Sequence, residues 1–113
     1  DKDVLVNSGS LLEVLTFNGG ADNDVLINSG SQLDVLDFNG DAGSDTLWNR
    51  VDGTNITLLD FHGDAGSDTL INDAAGVITL SFDGGADADL LQNSGSVTDL
   101  TFLGGADADI LRN

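Results

Sequence analysis

The apolar positions of this chain fall into two short alternating phases separated by glycine-rich turns. One phase is DVLIN at 24–28, with equivalents DVLVN, DTLWN, DTLIN, DLLQN and DILRN. The other is LDVLDF at 33–38, echoed by LEVLTF, ITLLDF, VITLSF and VTDLTF. Period-two alternation in β-branched segments, bounded by Gly, Asn and Ser, predicts strands with one buried face. No window carries a helical stripe. Phe17, Phe38, Phe61, Phe82 and Phe102 recur at steps of 21, 23, 21 and 20 residues. Asn7, Asn28, Asn49, Asn72, Asn93 and Asn113 keep step with them. Two strands and two turns in about 21 residues make one coil of a solenoid, stacked on the next at about 4.8 Å. The expected fold is all-β: a parallel β-solenoid of the β-roll or β-helix kind, about five coils of 20–23 residues without caps.

Alternation also predicts the core. Leu5, Leu26, Leu47, Leu70, Leu91 and Leu111 fill one wall, while Leu15, Leu36, Leu59, Leu80 and Leu100 fill the other beside the Phe series. The Asn column predicts an amide ladder, each side chain bonding its neighbours above and below. A leucine-rich repeat shares the L-x-x-L-x-F spacing. However, Gly20, Asp41, Asp64, Gly85 and Gly105 stand where that repeat needs Asn, and the remainder of each unit is extended rather than helical. Residues 1–113 form one domain, with coil boundaries near the six Asn, and both ends hold mid-repeat phase as a piece of a longer repeat protein would.

Charge changes the picture. Twenty Asp and Glu face three Lys and Arg, a formal net charge of -17, which argues against nucleic acid as a partner because phosphate binding needs a basic surface. Disorder is the usual meaning of acidic excess, but 40% hydrophobic residues require that charge and apolar surface be segregated instead. Cysteine is absent, removing disulfides and thiolate zinc sites. No run is apolar enough to span a bilayer.

Segregation occurs in the turn after each Phe: GGADND, GDAGSD, GDAGSD, GGADAD and GGADAD. Each carries a pair of acids, and the first residues hold one more: Asp1 with Asp3, Asp22 with Asp24, Asp41 with Asp45, Asp64 with Asp68, Asp87 with Asp89, and Asp107 with Asp109. Carboxylates stacked at about 4.8 Å repel by about 3.5 kcal/mol per pair at an effective dielectric near 20. Three basic side chains cannot neutralise twelve such acids. A hard divalent cation can, held by carboxylates and turn carbonyls at about 2.3–2.6 Å, and calcium suits that ligand set better than strictly octahedral magnesium.

These turns resemble the repeats-in-toxin (RTX) family, whose nonapeptide has the form G-G-x-G-x-D-x-U-x. GDAGSDTLW at 40–48 and GDAGSDTLI at 63–71 match closely; GGADNDVLI, GGADADLLQ and GGADADILR carry Asp where the family has its third Gly. The family binds calcium in both turns of a coil, but the opposite turns here (NSGSLL, NSGSQL, NRVDGTNI, NDAAGV, NSGSV) lack the motif. The resemblance therefore implies one column of Ca2+ between successive coils, along one edge, and a chain that stays unfolded and exportable in a calcium-poor cytosol.

Other chemistry is thin. His62 is the one histidine and sits at a variable turn position, and six equivalent Asp pairs are a structural repeat rather than one pair of glycosidase carboxylates, so the chain is not expected to be an enzyme. Outward positions of the first strand type are mostly apolar: Val4, Val6, Val25, Ile27, Trp48, Ile71, Leu90 and Ile110, with Thr46, Thr69, Gln92 and Arg112 among them. The other strand type is more polar outside, with Thr16, Asp37, Asp60, Ser81 and Thr101. An apolar flank of a few hundred Å² predicts lateral self-association, and uncapped strand edges predict end-to-end stacking. The expected function is a structural calcium-binding rod of a secreted or cell-surface protein, as in a fibre, matrix or adhesin stalk. The alternatives are a folding and secretion module attached to a secreted enzyme or toxin, as the resemblance implies, and an ice-binding array, for which only Thr46 and Thr69 align.

Overall fold

The computed structural model describes residues 1–52 and 54–113; Gly53, within the NRVDGTNI turn, lies outside the described residues. Eleven strands run in chain order: β1 Val4–Asn7, β2 Val14–Ala21, β3 Val25–Asn28, β4 Leu33–Ala42, β5 Thr46–Asn49, β6 Ile56–His62, β7 Thr69–Asn72, β8 Val77–Gly85, β9 Leu90–Asn93, β10 Val97–Gly105 and β11 Ile110–Arg112. Odd strands form a six-stranded sheet in the order β1-β3-β5-β7-β9-β11, and even strands a five-stranded sheet in the order β10-β8-β6-β4-β2. Every pairing is parallel and joins equivalent residues of successive coils, as in Leu26↔Leu47 and Phe38↔Phe61. This is the parallel β-solenoid of about five turns that the repeat predicts. No helix occurs among the described residues, which removes the leucine-rich repeat.

The core is the space between the two sheets. Leu26, Leu47, Leu70 and Leu91 from one sheet meet Leu36, Leu59, Leu80 and the Phe column from the other, all fully buried in the inner coils. Phe17, Phe38, Phe61 and Phe82 stack with centroids 5.1, 4.7 and 5.0 Å apart and interplanar angles of 17°, 9° and 17°. The strand spacing imposes that distance on identical side chains, so each ring covers the face of the next.

The amide ladder is present in full. Asn7 Nδ2 donates to Asn28 Oδ1, Asn28 to Asn49, Asn49 to Asn72, Asn72 to Asn93 and Asn93 to Asn113, at 2.6–2.8 Å. Asn28, Asn49 and Asn72 are fully buried, where an unpaired amide would be costly. The ladder closes the coil on the side away from the acidic turn.

Two features depart from simple alternation. The even strands continue past the Phe: LDVLDF at 33–38 becomes Leu33–Ala42, because Asn18↔Asn39, Gly20↔Asp41 and Ala21↔Ala42 keep the parallel pairing into the turn. On the opposite corner Leu11, Gln32, Asn55 and Gly76 share one left-handed position, with φ of 65°, 59°, 58° and 79°. Only Gly76 takes that conformation without steric penalty. Leu11 is 75% exposed and has little packing to lose. Leu11→Gly should therefore stabilise the folded chain by about 0.5–1 kcal/mol, read as a higher urea midpoint. A lower midpoint would show that its side chain covers the core edge.

Candidate metal centre

The turn following each Phe separates the twelve aspartates into two columns. The inner column is Asp3, Asp24, Asp45, Asp68, Asp89 and Asp109; the four central members are 0–2% exposed. The outer column, Asp1, Asp22, Asp41, Asp64, Asp87 and Asp107, faces solvent. Sequence alternation places both members of each pair on one side; a left-handed residue in the turn separates them. Within GGADND, Gly20 and Asp22 have φ of 94° and 82°; within GDAGSD, Asp41 and Gly43 have φ of 68° and 148°. Both sites need a residue tolerant of positive φ, and Gly and Asp are the two that alternate there. The exchange of Gly and Asp between coils is thus set by the backbone, and the outer acids are screened by water.

Each inner carboxylate uses its two oxygens differently. Oδ1 accepts the backbone N–H of the equivalent Asp one coil earlier: Asp3 to Asp24 at 2.6 Å, Asp24 to Asp45 at 2.6 Å, Asp45 to Asp68 at 2.7 Å, Asp68 to Asp89 at 2.7 Å and Asp89 to Asp109 at 3.0 Å. This ladder ties coil to coil along the acidic edge, and nothing in residue spacing alone announces it. Oδ2 of Asp24, Asp45, Asp68 and Asp89 is buried and has no hydrogen-bond partner. It lies over the first Gly of its own turn: a Cβ at Gly19, Gly40, Gly63 or Gly84 would overlap Asp24, Asp45, Asp68 or Asp89 Oδ2 respectively. Glycine at that position makes the space the carboxylate occupies.

A single charge-assisted hydrogen bond contributes about 1.5–3 kcal/mol, whereas burying a carboxylate costs several kcal/mol even after relaxation. The balance shows in the proton affinities. Burial pushes Asp68 up to about 7, the Asp45 N–H pulling it back and the charges of Asp45, Asp89 and Asp64 raising it further. Burial likewise raises Asp45 and Asp89, opposed by the N–H groups of Asp24 and Asp68. Below the ordinary value of 3.8, folded and unfolded chains are both protonated at Asp68; between there and about 7 only the unfolded chain ionises, so stability falls as pH rises through that window. Chelated protein should therefore gain β signal in circular dichroism on acidification from pH 8 to pH 5, and a loss of signal over that step would contradict it.

A cation is another way to satisfy these unpartnered oxygens. Among the described residues no three His, Cys, Asp or Glu side chains converge on one point. A bound ion would therefore draw on backbone carbonyls of the turns beside one or two inner carboxylates, an all-oxygen set of the kind calcium takes. Asp24, Asp45, Asp68 and Asp89 would hold it through Oδ2, with Asp3 and Asp109 completing the column at its ends. His62 is far from such a role: its Nε2 lies 3.4 Å from Asp60 Oδ2 on the five-stranded sheet. Trp48 is spoken for locally, donating from Nε1 to Asp73 Oδ2 at 2.9 Å beneath Arg50, whose guanidinium carbon is 5.1 Å from the ring centroid.

Comparison with family models, with curated proteins and with solved structures finds no match to this chain. The class defined by the fold is a tandem-repeat parallel β-solenoid.

Proposed function

We propose that this chain is a calcium-stiffened structural rod segment of RTX-like character, belonging to a secreted or cell-surface protein and acting without catalysis. The observation that carries the reading is the column of buried, unpartnered Oδ2 atoms on Asp24, Asp45, Asp68 and Asp89. Four buried acceptors repeated at one edge of four successive coils are costly in isolation and become favourable around a divalent cation. When bound, calcium supplies positive charge that offsets the stacking of like charges. The chain's own residues provide the acceptor oxygens, the glycine floor that admits them, and the N–H ladder that fixes their spacing.

The Asn ladder, the Phe stack and the parallel strands extend along one axis, so each coil adds length at nearly constant cross-section, as a rod requires. Millimolar calcium outside cells would load sites with affinities of about 10⁻⁴–10⁻³ M, whereas cytosolic calcium would not. The apolar face of Val4, Val6, Val25, Ile27, Trp48, Ile71, Leu90 and Ile110 would serve lateral assembly.

Calorimetric titration tests the reading. Calcium at millimolar levels should bind saturably at several sites while magnesium gives no comparable heat. Absence of saturable calcium binding up to 10 mM, well above the affinity range of extracellular modules, would remove it.

A further inference from the structure

The two outer faces of the solenoid differ in charge far more than their secondary structure does. On the six-stranded sheet the outward columns are Val4, Val25, Thr46, Thr69, Leu90 and Ile110, then Val6, Ile27, Trp48, Ile71, Gln92 and Arg112. Neither contains an acid; the acid at their edge is Asp73, which accepts from Trp48 Nε1 at 2.9 Å and stands one coil on from Arg50 in the same register. Arg112 stands in the second column, Arg50 lies over the ring of Trp48, and Lys2 precedes Val4 by two residues. All three basic side chains of a chain with net charge -17 are thus at one face.

The five-stranded sheet presents the opposite. Its outward columns contain Asp37 and Asp60, paired across β4 and β6, with Asp83 in β8 and Asp99 in β10. It contains no Lys or Arg. The Thr16, Asp37, Asp60, Ser81 and Thr101 column is flanked on one side by Asn18, Asn39, His62 and Asp83. Val14, Val35 and Leu58 form an adjoining outward ridge, because they share alternation phase with that column.

We propose that these faces recognise each other, the six-stranded face of one copy seating on the five-stranded face of a second. The inference extends the lateral-packing part of the rod reading and rests on it. Both faces are arrays of parallel strands with the same coil spacing, so an apolar ridge on one can run along an apolar ridge on the other. Arg50 and Arg112 then meet Asp37, Asp60, Asp83 and Asp99, a pairing that like-on-like contact of two acidic faces would forbid. The sheets enclose one core and their outer faces point in opposite directions across the short dimension of a 35 × 30 × 17 Å molecule. Such a contact is heterologous and does not close, so it propagates as a layered stack.

The four-residue strands of the six-stranded face span about 400 Å² at strand spacings of about 4.8 Å and rises of about 3.3 Å per residue. A stable interface needs about 800 Å² per partner, so one such segment associates weakly and the contact grows with each added coil.

The chain has no cysteine, which makes single-cysteine variants specific reporters. Thr69→Cys marks the centre of one face and Ser81→Cys the centre of the other. The two variants are mixed in calcium at high concentration and oxidised, after circular dichroism has shown that each is folded. The mixed 69–81 disulfide should exceed its statistical share several-fold, and Arg50→Glu with Arg112→Glu in the Thr69→Cys chain should return it to that share. A statistical product ratio, a predominance of 69–69 dimers or the absence of crosslinking in folded protein would each overturn the face pairing while leaving calcium binding intact. A chain that calcium does not fold would instead remove the rod reading at the first step.

Discussion

Asp68→Asn should have opposite effects in calcium and in chelator. Asparagine keeps the shape of the side chain, and its Oδ1 can still accept the Asp45 N–H that Asp68 accepts at 2.7 Å. What it removes is the charge on an oxygen that is buried without a partner. In chelator at neutral pH burying that charge costs more than burying the unpartnered neutral amide that replaces it, so the variant should raise the folded fraction by about 1–3 kcal/mol. On the calcium-rod proposal the same charge would be a ligand when calcium is present. Stability drawn from a bound ion follows RT ln(1 + [L]/Kd), about 2.7 kcal/mol at a hundredfold excess over Kd, and the variant should lose an amount of that order. Urea midpoints under both conditions measure the two signs. A solvated, non-binding carboxylate would move both midpoints the same way.

Gly66→Ala should destabilise the chain by about 3 kcal/mol or more in both conditions, because it combines overpacking with backbone strain. A Cβ at Gly66 would overlap the carbonyl oxygen and carbon of Gly43 in the preceding coil, and its φ of +120° is already unfavourable for an L side chain. The obstacle is backbone held in a parallel ladder, so no rotamer relieves it and the coils must separate locally. Gly20→Ala is the matched control. Its φ is +94° but no atom lies within 4 Å of the added Cβ, so it should cost only the left-handed strain, about 1–2 kcal/mol. Equal losses at the two positions would mean that coil spacing is not what Gly66 protects.

The contrast between these glycines shows where sequence reasoning reaches its limit. Strand location, sheet direction, the Leu walls, the Phe stack and the Asn ladder all follow from a 21-residue period and period-two alternation, because equivalent residues of stacked coils must meet. Depth within the turn does not follow. Asp22 and Asp24 share parity, yet the positive φ at Asp22 turns one outward and leaves the other buried. The Oδ1-to-N–H ladder was equally silent, since any Asp at that spacing looks like a surface acid. The corner at Leu11, Gln32 and Asn55 was unreadable for a related reason: three of its four left-handed residues are not glycine, so the usual marker of that conformation appears only at Gly76. The five-stranded face is the more polar one, as its Thr16 column predicts, with Asn18, Asn39, His62 and Asp83 flanking that column on one side and the shorter apolar ridge of Val14, Val35 and Leu58 on the other.

Far-UV circular dichroism at neutral pH, with chelator, with magnesium and with calcium, tests the central claim most directly. The unpartnered inner carboxylates predict β structure in calcium, and its loss in chelator or in magnesium alone. An identical β spectrum and melting temperature in chelator would show that the aspartate column needs no cation, and the calcium rod would be contradicted while the solenoid itself stood.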